Sequence, residues 1–164
     1  MAQAPDLQGW AMTGIDLPDE AATAALAARL ARCARAGDVI ALRGDLGAGK
    51  TTFARAFIRA LGGHEEVPSP TFTLVQLYEL EAATIWHFDL YRLQAPEEAW
   101  ELGIEEALAT GIVLIEWPER LGPLLPEHRL DITLAFDDRA AARCAVLAAG
   151  PGWAARLGGS AADA

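Results

Sequence analysis

A three-layer α/β/α fold, with a central and mostly parallel sheet plus antiparallel hairpin strands, follows from three observations. Val39-Ile40-Ala41-Leu42 and Ile112-Val113-Leu114-Ile115 are short, wholly apolar runs, the pattern of strands buried on both faces of a parallel sheet. The first run leads into the glycine-rich segment Gly44–Thr51 and then into a stretch of helical period, a strand–loop–helix unit. Elsewhere two pairs of β-rich segments are each separated by a short turn.

Taken in order, Leu17-Pro18-Asp19-Glu20 reads as a helix entrance, with proline and acids ahead of the first turn. Leu26, Leu30 and Cys33 recur at helical spacing, Arg29, Arg32 and Arg35 take another face, and Gly37 ends the helix. Val39–Leu42 is the first strand. Phe53, Phe57, Ile58 and Leu61 form the stripe of a second helix, which Gly62-Gly63 close. Val67-Pro68-Ser69-Pro70 is a stiff loop; Thr71 to Leu80 and Thr84 to Phe88 are hairpin strands about a turn at Glu81-Ala82-Ala83. Pro96-Glu97-Glu98 open a helix that Gly103 interrupts. Ile112–Ile115 is the clearest buried strand and ends in Glu116. Leu130 to Phe136 and Arg143 to Leu147 make the last strand pair, with Asp137-Asp138-Arg139 near their turn. The expected organisation is one domain over 1–150, followed by a Gly- and Ala-rich tail over 151–164 that is frayed. No internal repeat is present.

The chain has 164 residues, enough to bury a sizeable core, and a net charge of −10. An acidic chain repels a phosphate backbone, so autonomous nucleic-acid binding is not expected. No apolar stretch approaches the ~20 residues of a membrane span and no leader is evident, so the expectation is a soluble, cytoplasmic protein without a membrane partner. Cys33 and Cys144 lie far apart and read as buried structural thiols; three histidines without clustered cysteines argue against zinc.

Lys50 is the only lysine; the other basic residues are arginine. It stands in Gly44-Asp45-Leu46-Gly47-Ala48-Gly49-Lys50-Thr51, which fits the phosphate-binding pattern G-x-x-x-x-G-K-[ST] and makes the fold of P-loop NTPase type. The chemistry explains the residue. A compact ammonium on a flexible stem reaches between phosphates, where a planar guanidinium is bulkier. The glycines let backbone N–H groups turn inward as an anion nest, and the helix that begins at Lys50 adds its positive end. Thr51 offers a hydroxyl to Mg²⁺, and Thr52 is a candidate for the α-phosphate or a plain helix residue.

Nucleotide hydrolysis also requires a carboxylate toward the metal. Glu116 and Asp89 each follow a strand and so stand at the carboxyl edge where open α/β sheets bind ligands. Ser69-Pro70-Thr71-Phe72-Thr73 occupies the position of a γ-phosphate-sensing switch, or is a rigid loop. Trp117-Pro118 reads as core packing or as an aromatic contact to partner or nucleotide. His87 reads as a packed hairpin residue rather than an acid–base group.

Four motifs in order, Gly44–Thr52, Ser69-Pro70-Thr71-Phe72-Thr73-Leu74-Val75, His87-Phe88-Asp89-Leu90-Tyr91-Arg92-Leu93 and Glu116-Trp117-Pro118, resemble the bacterial TsaE (YjeE) ATPases. The likeness runs from about Leu17 to Leu147. It implies an ATP hydrolase that binds ATP/ADP and Mg²⁺ and supports turnover of the complex that installs N6-threonylcarbamoyl on adenosine 37 of tRNAs. That implies two protein partners, the transferase subunit and its paralogous partner, with tRNA met through the complex. By the resemblance, Lys50, Asp89 and Glu116 serve catalysis, and Thr51 and Glu116 hold Mg²⁺. The loop residues Asp45, Leu46, Gly47, Ala48, Gly49, Lys50, Thr51 and Thr52, with Asp89, Glu20 and Arg139, line the nucleotide.

Three rivals remain to be weighed. A regulatory GTPase needs an N-K-x-D segment, and this chain has no asparagine and no second lysine. A small-molecule or nucleoside kinase needs an arginine-bearing lid, whereas Arg92 and Arg120 are scattered. A non-catalytic nucleotide-sensing module shares the phosphate loop and stays open as an alternative, with two well-placed carboxylates arguing against it.

Overall fold

The computed structural model describes residues 11–63, 73–139 and 142–162. In chain order the elements are β1 (Ala11–Leu17), α1 (Glu20–Cys33), β2 (Val39–Arg43), α2 (Lys50–Ala60), β3 (Val75–Glu79), β4 (Thr84–Asp89), α3 (Glu98–Glu101), α4 (Ile104–Thr110), β5 (Ile112–Glu116), β6 (Leu130–Phe136), β7 (Arg143–Ala149) and α5 (Pro151–Ala162). Among the described residues the strands make one seven-stranded sheet in the order β1-β7-β6-β2-β5-β4-β3. Its centre, β6-β2-β5-β4, is parallel. β3 and β7 run antiparallel to their neighbours as hairpin partners, and β1 pairs antiparallel with β7 at the edge.

Strand alternation sorts the core into two layers. Ile40, Leu42, Ile85, Ile112 and Leu114 pack with Leu26 and Leu30 of α1 and Phe53, Phe57 and Ile58 of α2. Val39, Trp86, Phe88, Val113 and Ile115 pack on the other face with Ala99, Ile104 and Ala107 of α3 and α4. The three-layer α/β expectation therefore holds.

Local chemistry sets the element ends. The Asp19 side chain caps α1 by accepting from the Ala22 N–H at 2.8 Å. This helix stops at Cys33 rather than running to Gly37, because Ala34 is extended and the Asp38 carboxylate takes the Arg35 N–H at 2.6 Å. Gly62 and Gly63 close α2 by donating to the carbonyls of Arg59 and Ile58, both at 3.1 Å. Gly103 divides the expected helix in two. Its φ is +83°, and a Cβ there would lie 3.1 Å from the Trp86 ring. β3 begins at Val75, after a turn at Thr73-Leu74; Thr71 and Phe72, read as its start, lie outside the described residues.

Two elements were not evident from the sequence. β1 is mostly exposed, with only Ile15 and Leu17 at its end packed on the core; main-chain pairing to β7 holds the rest. The second is α5, a helix over Pro151–Ala162 within the segment expected to be a frayed tail. Trp153 is buried in the α1–α2 side core. Arg156 lies 4.2 Å from the Trp153 ring centroid and donates to the Cys33 carbonyl at 2.6 Å and to both Asp38 oxygens at 2.6 and 2.8 Å. One aromatic anchor and one arginine thus fasten a segment whose composition alone reads as loose. Cys33 and Cys144 are free thiols and only partly buried, which corrects the reading of buried core thiols.

Trp153→Ala is expected to cost about 3 kcal/mol in urea unfolding, the scale for emptying a buried aromatic site. A loss below about 1 kcal/mol, within the range of ordinary surface substitutions and mild core trims, would mean that α5 is not fastened to the core.

Candidate functional site

The site begins where β2 must turn into α2. Gly44, Gly47 and Gly49 all have positive φ (140°, 80° and 109°). At Gly44 a Cβ would lie 2.4 Å from the Leu134 carbonyl oxygen of β6, so only glycine fits between loop and sheet. Gly49 is the N-cap of α2; it offers no side-chain cap, and no acid sits in the first turn. The first-turn N–H groups and the positive helix end are therefore left for an anion.

Lys50 is 5% exposed. Its Nζ donates to the Gly44 carbonyl and, at 2.9 Å, to that of Asp45, and stands 4.2 Å from the Trp117 ring centroid. Burial lowers the Lys50 pKa, while the charges of Glu116, Glu119, Asp89 and Asp45 pull it back up. Trp117 is held in a left-handed backbone conformation (φ 60°) against Tyr91, ring centroids 4.9 Å apart. It thus contacts the lysine, a role that neither the packing nor the nucleotide-contact reading anticipated.

The parallel register supplies the carboxylates. Glu116 ends β5 beside Leu42 of β2 and Asp89 of β4. Both acids are buried, at 2% and 6% exposure. Thr51 Oγ1 donates to Glu116 Oε1 at 2.9 Å. Asp89 Oδ1 accepts the Tyr91 N–H at 3.1 Å. An open cleft of ≈ 220 Å³ is lined by Gly47, Lys50, Thr51, Thr52, Asp89 and Glu116, among others. A hydroxyl and two carboxylates form a hard oxygen donor set. Among the described residues, no group of three or more His, Cys, Asp or Glu gathers as a protein-only metal cage. That set suits Mg²⁺, which is held by one or two carboxylates together with substrate phosphates.

The remaining sequence candidates divide. Leu46 is exposed at the lip of the cleft, and Ala48 is buried, its N–H donating to the Asp45 carbonyl at 3.1 Å. Glu20 is exposed at the start of α1 and does not line the cleft. Nor does Arg139, whose guanidinium donates to Asp16 at 3.1 Å and Asp137 at 3.2 Å; the second bond holds the Asp137 carboxyl below its usual range. Arg143, not singled out from sequence, reaches the loop instead. It donates to the Gly47 carbonyl at 3.3 Å and lies 4.5 Å from the Phe136 ring centroid. Only the β6–β7 register brings it there, and no local motif marks it. His87 is fully buried as expected, but it is more than packing: its Nε2 is 2.7 Å from Glu116 Oε2. Ser69-Pro70-Thr71-Phe72 lies outside the described residues; Thr73, which follows, is exposed.

Comparison with known proteins identifies the family. The family model described as "Threonylcarbamoyl adenosine biosynthesis protein TsaE" matches residues 17–144. The tRNA threonylcarbamoyladenosine biosynthesis protein TsaE of Rickettsia felis is 42% identical over 132 residues, covering 80% of this chain and 77% of that protein. Its namesake in Bacillus subtilis is 41% identical over 124 residues, covering 74% and 76%. The crystal structure of Bacillus subtilis YdiB superposes with a TM-score of 0.79 at 28% identity, covering 94% of this chain and 97% of that one. With a family model spanning most of its length and the phosphate loop and strand-end carboxylates gathered in one cleft, this chain belongs to the TsaE family.

Proposed function

We propose that the protein is a Mg²⁺-dependent ATPase that supports threonylcarbamoyladenosine formation on tRNA, working with a transferase subunit and its paralogous partner. One observation carries the reading: the glycine loop, Lys50, Thr51, Asp89 and Glu116 converge on one cleft. The name shared by its relatives supplies the pathway.

In this reading the loop amides and the start of α2 bind the phosphates of ATP. Lys50 leaves the Gly44 and Asp45 carbonyls and the Trp117 ring to lie between the β- and γ-phosphates. Thr51 and Glu116 would hold Mg²⁺, which would supply charge neutralisation at the phosphoryl oxygens. Asp89, beside Glu116, orients the attacking water and accepts its proton. Among the described residues lining the cleft there is no arginine to stabilise the transferring group, so a partner completes the site. tRNA is met through the complex, consistent with a net charge of −10. No helix among the described residues is long and apolar enough to cross a membrane.

Lys50→Ala should weaken binding of a fluorescent ATP analogue by about 10- to 100-fold, the scale of a lost charge-assisted interaction. Glu116→Ala should weaken binding in Mg²⁺ much more than in EDTA; equal losses would refute its metal role. Because burial lowers the Lys50 pKa, affinity should fall with rising pH before an ordinary lysine at 10.5 would titrate. This alkaline step should vanish in Lys50→Ala. Steady-state ATPase should be slow alone and rise with both partner proteins, and an unchanged rate would sink the partner-completed site.

A further inference from the structure

Glu116 is bonded on the side away from the cleft as well as toward it. His87 stands on β4 two residues before Asp89, opposite Leu114 of β5. By strand alternation Ile85, His87 and Asp89 share a face, and Ile85 and Leu114 belong to the apolar core beneath α1 and α2. An imidazole at full burial in such a row is costly unless it is hydrogen-bonded. Its Nε2 is 2.7 Å from Glu116 Oε2, while Nδ1 is buried without a hydrogen-bond partner. A carboxylate only accepts, so Nε2 carries the hydrogen; in the neutral ring Nδ1 is then a bare lone pair and no N–H is orphaned. The other carboxylate oxygen, Oε1, takes the Thr51 hydroxyl at 2.9 Å. A cation held by Thr51 and Glu116 would replace that second bond and leave the first intact.

We propose that His87 is a positioning residue for Glu116: its Nε2–H pins Oε2 so that Oε1 stays turned toward Thr51 and the cation. This rests on the reading of Thr51 and Glu116 as the magnesium ligands. Partners of this kind that orient a ligating carboxylate typically change metal affinity by about 10- to 100-fold when removed.

The test is titration of the fluorescent ATP analogue at graded Mg²⁺ and in EDTA, with circular dichroism to verify folding. His87→Phe keeps a ring and removes the donor; His87→Gln retains an N–H donor. His87→Phe should need about ten-fold more Mg²⁺ for the same gain in affinity while binding in EDTA as the unaltered protein does, and His87→Gln should recover most of the loss. Equal losses in Mg²⁺ and EDTA, an unchanged Mg²⁺ requirement, or no recovery in His87→Gln would overturn the proposal. If the unaltered protein shows no Mg²⁺-dependent gain, the reading of the cleft itself fails and this proposal with it. A unaltered-protein measurement covers variants that do not fold: imidazole ¹⁵N spectra should show His87 as the Nε2–H tautomer, its Nε2 signal moving with Mg²⁺ and nucleotide but not with nucleotide in EDTA. An Nδ1–H tautomer, or the same movement in both, would overturn it.

Discussion

Glu116 is a carboxylate buried at the end of β5, and its neighbours are arranged around the need to satisfy it. One oxygen takes the Thr51 hydroxyl from α2, and the other faces His87 on β4. A buried anion without partners would be strongly destabilising. Both bonds require α2, β5 and β4 to hold their mutual positions. The parallel register, with Leu42 and Asp89 on either side of Glu116, provides that. Constraint and function coincide: the bonds that make the acid tolerable also aim it at the cleft.

Lys50 shows the complementary arrangement. Its ammonium is buried against the Gly44 and Asp45 carbonyls and the Trp117 ring. These are weak, dipolar or quadrupolar partners, and phosphates would be stronger ones. Trp117 occupies its place through a left-handed backbone that a bulky residue seldom adopts. The first-turn N–H groups of α2, lacking a side-chain cap, add to the same positive concavity.

Much of this was legible in the sequence because it is local. A glycine loop between an apolar run and a helical stripe announces its own geometry. Asp89 and Glu116 were found because an acid directly after a buried strand stands at the sheet's carboxyl edge. Elements held by nonlocal forces were not legible. β1 is an exposed edge strand whose partner lies far along the chain. α5 depends on Trp153 reaching the core and on Arg156 meeting Asp38, in a segment of poor intrinsic order. Arg143 belongs to no motif, and the His87–Leu93 motif by itself does not mark its histidine as a partner of Glu116; strand register makes both contacts.

The sequence by itself determined the chemistry at hand. It holds one lysine, in one phosphate loop, with a hydroxyl after it and two strand-end acids, and it has no asparagine for guanine reading. Those facts concern residue type and short spacing, which backbone sterics translate directly into a turn, a helix start and a strand end. The tertiary structure decided which groups meet. It put Glu116 between Thr51 and His87, laid Trp117 over Lys50, and turned Arg139 toward Asp16 and Asp137 while Arg143 came to the loop. The reason is physical: strand register and layer packing are chosen by burial summed over the whole sheet, and no local stretch of residues contains that sum.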